Sequence, residues 1–486
     1  MNVERAELMV LGAGPAGVSA ALAAAENGLD VVLIDEADEA GGQVYRAPRS
    51  RPGGPTDPSL QKASARQDPD AARGAALRAR LAQSPVRFLS GQRVWAIEES
   101  FSIHAVGSGV SRTVTAPRLV SAAGAIERVV PFPGWTLPGV IGLAGATILL
   151  KSQSILPGRR MLVAGCGPLL LAVAAKVVEK GGQVAAVVDL APLGRWLTVA
   201  PKLARRPDLA RQGLAWRAAL LRHGVAIHHA STLRSVETTP SGLSAVIGPV
   251  DTMGRAKPGA TLNIGELDCV AVGHGLVPSI EVTRLVGAEH RFDRALGGWV
   301  PRIDPFGRTT VAGLYAAGDG CGIRGALPAE QAGRLAGLAA ARDAEYLSDA
   351  ALADLASPVR ARLRGLEGFA GAMAELMAQR SGQVGDVAPD TIVCRCEDVT
   401  RSEIDRAVED GASDVNQVKH FTRCGMGPCQ GRMCADTVGE LVGLRLGSRE
   451  AAGLWTQRAP LRPVALEDLI GTYRYSDIPI PKPAPL

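Results

Sequence analysis

The stretch that most constrains the fold is "ELMVLGAGPAGVSAALAAAENGLDVVLIDE", residues 7–36. It alternates an apolar strand, a glycine-rich turn, an Ala-rich helix and a second apolar strand. Gly12, Gly14 and Gly17 form G-x-G-x-x-G, in which the first glycine allows a tight turn, the second admits a pyrophosphate and the third lets helix and strand pack closely. The pattern predicts a Rossmann-like α/β unit that holds the phosphates of a dinucleotide at the helix N-terminus.

Acidic and glycine residues at the end of the second strand extend this prediction. Asp35 lies 18 residues after Gly17, where a carboxylate takes a ribose hydroxyl, and Glu36 is the alternative. Gly42 and Gln43 follow shortly afterwards, and we predict that they approach a large ligand closely. A structural glycine turn without a ligand remains the alternative interpretation of the whole segment.

A second strand–turn–helix–strand pattern, "RRMLVAGCGPLLLAVAAKVVEKGGQVAAVVDL", covers residues 159–190. Gly165 and Gly167 occupy the first two glycine positions, and Asp189 occupies the acidic one. Leu170 stands at the third glycine position, where its side chain is expected to push the helix away from the strand and to crowd the phosphate site. An architectural role is therefore predicted rather than binding of a nicotinamide dinucleotide.

A third segment, "GLYAAGD", predicts a strand that ends at Gly318 and Asp319. Together with the first glycine turn and "LVSAAGA" at residues 119–125, it resembles the two-dinucleotide-domain, glutathione-reductase-like flavoproteins. The resemblance covers residues 5 to about 345 and implies FAD, with Asp319 holding the ribityl chain. A helix N-cap is the alternative role for Asp319. Cys166 and Cys321 are interpreted as small packing residues, because no disulfide-reductase cysteine pair accompanies them.

The implied fold class is α/β, with two Rossmann-like dinucleotide-binding domains and a small helical C-terminal domain. The predicted boundaries are an FAD-binding domain at 1–133 and 270–345, a degenerate NAD(P)-type domain at 134–269, a helical linker at 346–389, a cysteine-rich domain at 390–445 and a C-terminal extension at 446–486. Residues 46–75, rich in Pro, Gly and Arg, predict a long loop.

Five of the eight cysteines lie between residues 394 and 434. They form C-x-C at Cys394 and Cys396 and C-x4-C at Cys429 and Cys434, with Cys424 as a fifth candidate. Four thiolates suit either zinc or an iron–sulfur cluster, but zinc modules use C-x2–4-C pairs more often than C-x-C. Between the cysteine pairs, a capping box at Thr400 and Glu403 predicts the start of a helix.

The segments "CRCEDVTRSEI" and "DVNQVKHFTRCGMGPCQGRMC" resemble the bacterioferritin-associated-ferredoxin-like module that is fused to some flavoproteins. This resemblance implies a [2Fe–2S] cluster with Cys394, Cys396, Cys429 and Cys434 as metal ligands, and Cys424 as a spare thiol. Zinc and free thiols remain the alternatives.

The combination of these domains resembles the large (α or A) subunits of hetero-oligomeric opine, D-hydroxyproline and L-proline dehydrogenases and of hydrogen cyanide synthase. The resemblance implies an electron-transferring subunit. Its partner would be a D-amino-acid-oxidase-like flavoprotein β subunit that oxidises the C–N bond. A further candidate partner is a small γ subunit, and some relatives hold an FMN at the subunit interface. The seven histidines are dispersed, so no catalytic acid–base residues are predicted.

Two other functions fit the same motifs. One is a stand-alone NAD(P)H:acceptor oxidoreductase that uses the Gly165 turn, and the other is a non-redox scaffold that holds ADP or ATP. A net charge of +5, with basic residues expected to be scattered, argues against nucleic-acid binding. The most apolar stretch, residues 139–150, is too short to span a bilayer, and the N-terminus does not resemble a signal peptide, so a cytoplasmic location is expected.

Overall fold

The computed structural model describes residues 3–46 and 69–470. The first domain is built on a five-stranded parallel sheet, with strands in the order Leu314–Ala316, Leu119–Ser121, Leu8–Leu11, Val31–Ile34 and Arg87–Leu89. The two strands that flank the first glycine turn are fully buried, as expected for a parallel sheet covered on both faces. Because one strand comes from beyond residue 310, the domain is discontinuous in sequence.

Two helices, Pro15–Ala25 and Ala326–Asp343, pack together on one face of this sheet. A Cβ placed on Gly333 would lie 2.0 Å from the carbonyl oxygen of Ala16, and one on Gly337 would lie 2.2 Å from that of Ala20. Only glycine permits such an approach. Four residues further along both helices the same contact recurs, so the two helices run in the same direction.

The other face is covered by a mixed sheet of Val3–Arg5, Val110–Thr115, Ser102–Gly107 and Arg93–Glu98, in which the first pair of strands is parallel and the other two pairs are antiparallel. The apolar layer between the two sheets includes Met9, Val32, Ile103 and Val114. The first domain therefore has three layers, in which helices, a parallel sheet and a mixed sheet follow one another.

The predicted long loop at 46–75 is wrong for its last part. Residues 69–75 begin the helix Pro69–Ala82, whose Leu77 and Leu81 are buried against the first domain. The periodic apolar contacts at positions 77 and 81 override the polar composition of the helix start. Residues 47–68 of the predicted loop lie outside the described part of the chain.

The second domain has its own parallel sheet, with strands in the order Val140–Gly142, Cys269–Gly273, Arg160–Gly165, Gln183–Asp189 and Ala226–His229. An antiparallel sheet of Ser231–Thr239, Gly242–Pro249 and Leu262–Leu267 packs beside it. The helices of this domain are Leu143–Ser152, Leu169–Glu179, Leu193–Leu203 and Pro207–Arg222.

The chain crosses between the two domains through a short antiparallel pair, Ala125–Glu127 with Leu276–Pro278. The short helix Glu281–Leu285 and a hairpin of His290–Asp293 with Gly298–Pro301 follow. These elements lead the chain back to the first domain.

The segment predicted as a helical linker contains a long helix, Asp349–Met377, and the short helix Ser381–Gly385. The side chain of Ser348 caps the long helix by accepting from the N–H of Ala351. Near its C-terminal end, the long helix packs on the helix Leu193–Leu203 of the second domain. Among the described residues, no helix combines the length and apolar character needed to cross a bilayer.

The cysteine-rich segment folds into a compact unit, which we call the cysteine module (residues 390–455). It contains a hairpin, Ile392–Cys394 with Val399–Thr400, and the helices Arg401–Glu409, Val415–Thr422 and Ala435–Leu446. Thr400 and Glu403 form the predicted capping box. Trp455 completes the apolar core and donates its indole N–H to the carbonyl oxygen of Val415, so the packing of this unit extends to residue 455.

Candidate cofactor sites

The three glycines of the first turn meet different neighbours. A Cβ on Gly12, whose φ is +98°, would lie 2.4 Å from the oxygen of Ala122, and one on Gly17 would lie 1.7 Å from the oxygen of Gly12. These two glycines are therefore required by the fold itself. A Cβ on Gly14 would meet only the Cα of Gly42, at 3.8 Å, so Gly14 faces open space and leaves room for a ligand.

Asp35 lies directly beside this turn. Its carboxylate accepts hydrogen bonds from the N–H groups of Ala13 (2.5 Å) and Ala37 (2.7 Å). Burial raises the pKa of Asp35, and the two amide donors oppose that shift. Glu36 instead points to solvent and approaches Arg93 at 3.9 Å. Of the two predicted acidic residues, Asp35 is therefore the one that the structure places at the turn.

Gly42 and Gln43 differ in their surroundings. Gly42 has a φ of +59°, and a Cβ there would lie 2.8 Å from the Cα of Gly14, so two glycine backbones touch at this point. Gln43 is exposed and its side-chain oxygen accepts from Arg46 at 2.7 Å. Gly42 thus shapes the open space beside Gly14, whereas Gln43 lies at its solvent edge.

Gly318 and Asp319 come to the same place from the far end of the domain. Gly318 has a φ of +78°, and a Cβ there would lie 2.7 Å from the side chain of Ala16, in the first-turn helix. Asp319 accepts from the N–H groups of Arg324 and Gly325, both at 2.9 Å, and burial raises its pKa. The Asp319 carboxylate therefore binds two backbone N–H groups just before the helix Ala326–Asp343, as a helix-capping side chain would.

These residues fit a dinucleotide with a pyrophosphate. Two glycine backbones, Gly14 and Gly42, border open space at the N-terminus of the helix Pro15–Ala25, where unpaired N–H groups favour phosphate. Carboxylates at positions 35 and 319 flank this space from two different strands.

The second turn is filled by protein. A Cβ on Gly167 would lie 2.7 Å from Cγ of Met377, the last residue of the long helix. The thiol of Cys166 lies 4.0 Å from the carbonyl oxygen of Met377. The C-terminal end of this helix therefore occupies the space in front of the glycines, where the phosphates of a nucleotide would lie.

The acidic residue of the second turn has internal partners. Asp189 is buried, accepts from the indole N–H of Trp196 at 2.8 Å and faces Nδ1 of His229 at 3.1 Å. Leu170 is buried in the apolar core of the domain, so its side chain does not lie in the phosphate position. Met377 and the partners of Asp189 therefore fill this turn, and the predicted effect of Leu170 on the spacing between helix and strand stays a prediction.

The cysteine module brings its five thiols together in two groups. The sulfurs of Cys394, Cys424 and Cys434 all lie within 4.8 Å of one another and are buried. Cys396 and Cys429 form a hydrogen-bonded pair. Cys424, predicted to be a spare thiol, therefore lies within the same 4.8 Å group as the predicted ligands Cys394 and Cys434.

Contacts among the buried thiols shift their acidity in opposite directions. Hydrogen bonds from Cys424 and Cys434 lower the pKa of Cys394, and the pKa values of the other two thiols rise through their contacts with Cys394. Soft sulfur donors gathered in this way fit an iron–sulfur cluster.

The loop around these thiols is tightly restricted. A Cβ on Gly427 would lie 2.2 Å from Cβ of Cys396, and Cβ atoms on Gly425 and Gly431 would lie 2.5 and 2.2 Å from the ring of Trp455. Three glycines between residues 424 and 434 are therefore needed to fold the cysteines around one point.

Arg128 fixes the cysteine module to the first domain. This buried side chain donates to Asp436 of the module at 2.8 Å and to the carbonyl oxygen of Gly297 at 2.6 Å. Trp135 donates to the carbonyl oxygen of Ile392 at 2.6 Å nearby. No sequence motif marks these residues, because each contact joins positions about 170 or more apart in the chain.

A cavity of about 640 Å³ lies between the first domain and the cysteine module. Its wall combines indole rings with cationic side chains, and includes Trp299, Trp455, Arg284, Lys419 and Arg432. Burial lowers the pKa of Arg284 to about 10, and the indole nitrogen of Trp299 has no hydrogen-bond partner within the described residues. Gly425 and Gly431, which adjoin the cysteines, also border the cavity, so it lies beside the thiol groups.

Fold and thiols together define a flavoprotein of the two-dinucleotide-domain class with a cysteine-rich module at its end. The chain matches the pyridine nucleotide-disulphide oxidoreductase family over residues 6–339 and the BFD-like [2Fe-2S] binding domain over residues 392–443. It belongs to the first family and carries the second as its C-terminal domain. The predicted fold class, the FAD and the [2Fe–2S] cluster are thereby confirmed, and the chain is an FAD-dependent oxidoreductase.

Relatives of similar length align with this chain over nearly their whole length. The A-type subunit of opine oxidase from Agrobacterium tumefaciens is 33% identical, over 95% of this chain and 91% of that one. Hydrogen cyanide synthase subunit HcnB of Pseudomonas aeruginosa is 32% identical, over 94% and 96% respectively. The crystal structure of L-proline dehydrogenase from P. horikoshii shares the fold, with a TM-score of 0.68 and 20% identity over 96% of this chain and 80% of that one. The predicted resemblance to the A-type subunits is confirmed.

Proposed function

We propose that this chain is the electron-transferring subunit of a multi-subunit dehydrogenase that acts on an amino or imino acid, such as an opine, hydroxyproline or proline. The observation that carries the proposal is the blocked second turn: Met377 fills the space in front of Gly167. A flavoenzyme whose flavin is reduced by NADH or NADPH needs that space to bind the nicotinamide cofactor. Electrons must then enter from another protein, which agrees with the names of the relatives, since they are subunits.

The roles of individual residues follow from the geometry. We assign the pyrophosphate of FAD to Gly14 and Gly42, its adenosine ribose to Asp35 and its ribityl chain to Asp319. For the cluster we keep Cys394, Cys396, Cys429 and Cys434 as ligands. A flavin exchanges two electrons and a [2Fe–2S] centre exchanges one, so the pair can divide a two-electron input. The contacts of Arg128 hold the module that carries the thiols in a fixed position on the first domain.

The proposed partner is a D-amino-acid-oxidase-like β subunit, and a further candidate is a small γ subunit. A cytoplasmic location belongs to the same proposal. It is supported by Cys166, Cys269 and Cys321, which lie outside the cysteine module and form no disulfide within the described residues, because disulfides are rare in a reducing compartment.

The blocked turn predicts how the flavin is reduced. Anaerobic NADH or NADPH should leave the flavin of the purified chain oxidised for minutes. In the complex with its co-purifying subunits, the amino-acid substrate should reduce it. Absorbance of the flavin in a stopped-flow instrument measures both. Stoichiometric reduction by NADH within seconds would instead support the stand-alone NAD(P)H oxidoreductase.

We also propose that the cavity beside the cysteines holds an FMN. Its size lies within the range of cofactor pockets, indole rings can stack on an isoalloxazine, and Arg284 and Lys419 can neutralise a phosphate. In the purified complex, the double variant Arg284→Glu/Lys419→Glu should lose at least about tenfold in acid-released FMN, since two attractive charges become repulsive. Chromatography of the released flavins should show unchanged FAD. Arg291→Glu, an exposed cation outside the cavity, is the control. Equal FMN in all three proteins would refute the site.

A further inference from the structure

The helices Leu193–Leu203 and Pro207–Arg222, with the short connection between them, concentrate the positive charge of the protein. We call residues 193–223 the basic helix pair. It contains seven cationic residues and one acidic residue, a net charge of +6, whereas the whole chain has a net charge of +5. The expectation that the basic residues are scattered is therefore wrong. The cationic residues are Arg195, Lys202, Arg205, Arg206, Arg211, Arg217 and Arg222.

The same helices expose leucine side chains. The exposed fractions are 50% for Leu193, 68% for Leu197, 67% for Leu214 and 60% for Leu221. Each helix also has a buried face, marked by Val199 in the first and Leu220 in the second. The exposed leucines therefore lie outside the packed core, on surfaces that the rest of the described chain leaves uncovered.

Leucines and arginines alternate around the second helix in an ordered way. With 3.6 residues per turn, Leu214 and Leu221 lie about 20° apart on the helix surface. Arg217 lies on one side of this leucine stripe, and Arg211 and Arg222 lie on the other. Salt bridges of the helix pair within the described residues join Lys202 to Glu375 and Arg206 to Asp208, which leaves the three flanking arginines outside any of these ion pairs.

We propose that the basic helix pair binds the surface of a membrane that contains anionic lipids. Leucine side chains would enter the boundary between headgroups and acyl chains, and the arginines beside them would contact lipid phosphates. Each cation near such a surface strengthens the attachment. This is a peripheral attachment, and it rests on the exposure and charge of these helices, not on the proposed function.

A protein partner is the other class of occupant for this surface, and the composition favours lipid. Among the apolar residues, contact sites between proteins rely mainly on Trp and Tyr, and leucine is under-represented among their energetically important residues. Here the exposed apolar residues are leucines. Trp196 turns inward and donates to the buried Asp189, so it is not an anchor at the surface.

Co-sedimentation of the full-length protein with vesicles tests the proposal. At low salt the wild type should bind phosphatidylcholine vesicles that contain about 30 mol% phosphatidylglycerol, and should bind pure phosphatidylcholine at least about tenfold more weakly. Leu197→Ser/Leu214→Ser/Leu221→Ser and Arg211→Glu/Arg222→Glu should each weaken binding by about tenfold or more. Flavin content and thermal unfolding verify that the variants are folded.

Two matched controls separate the helix pair from general effects. Arg5→Glu/Arg112→Glu changes the net charge equally, at exposed strand positions of the first domain, and Leu355→Ser removes an exposed leucine of the long helix. Both should bind like the wild type. Wild type that fails to bind the anionic vesicles would overturn the proposal. So would charge variants that weaken binding equally wherever they lie. Variants that bind vesicles normally but no longer co-purify with a partner subunit would assign the surface to protein contact instead.

Discussion

Gly14→Val is expected to give folded protein that retains less than about a tenth of the wild-type FAD, because the new side chain projects into the space for the pyrophosphate. The nearest protein atom to a Cβ at Gly14 is the Cα of Gly42, at 3.8 Å, so the substitution meets no backbone. FAD released by acid, relative to protein, measures the effect. The loss of a tightly bound cofactor should also lower the unfolding free energy, by about 4 kcal/mol where the free cofactor is a thousandfold above its Kd.

The neighbouring glycines provide a matched comparison. Gly17→Val places a side chain where a Cβ already lies 1.7 Å from the oxygen of Gly12, so we expect misfolded, insoluble protein. Gly14→Ala adds one methyl group in open space, and we expect folded protein with an intermediate FAD content. Normal FAD in Gly14→Val would refute the assignment of the site to this turn.

Cys394→Ser is expected to abolish the cluster, with iron and inorganic sulfide falling below about a tenth of the wild-type content, because a [2Fe–2S] centre takes four protein ligands. The structure supports a central role for this thiol, since Cys424 and Cys434 both lie within 4.8 Å of it. Visible absorbance, electron paramagnetic resonance of the reduced protein and iron analysis measure the loss. Serine at Cys396, Cys429 or Cys434 should likewise abolish or distort the signal.

Cys424 distinguishes between two ligand sets. The spacing of the cysteines predicts that Cys424→Ser leaves the cluster largely intact, although Cys424 and Cys434 both lie within 4.8 Å of Cys394. If Cys424→Ser loses the cluster and Cys434→Ser keeps it, the assigned set is wrong and Cys424 is the fourth ligand. Cys269→Ser, in the sheet of the second domain, is the control for removal of a buried thiol elsewhere.

The sequence by itself determined the features that depend on neighbours a few residues apart. The turn at Gly12 to Gly17, the capping box at Thr400 and Glu403 and the close pair Cys394 and Cys396 can each be recognised within a short segment. Glycine is required there by backbone geometry, and a capping side chain acts on N–H groups two or three residues away. For the same reason the class of each domain could be predicted before the structure was known.

Tertiary structure decided the features that join distant segments. Met377 blocks the turn at Gly167 from 210 residues away, and Arg128 reaches Asp436 across 308 residues. No local sequence pattern marks either side chain. Many other methionines and arginines could make such a contact, and only the packing of distant segments decides which of them does. Leu170 shows the same division: its position in the turn was evident from the sequence, but only the fold shows that its side chain packs in the core of the second domain.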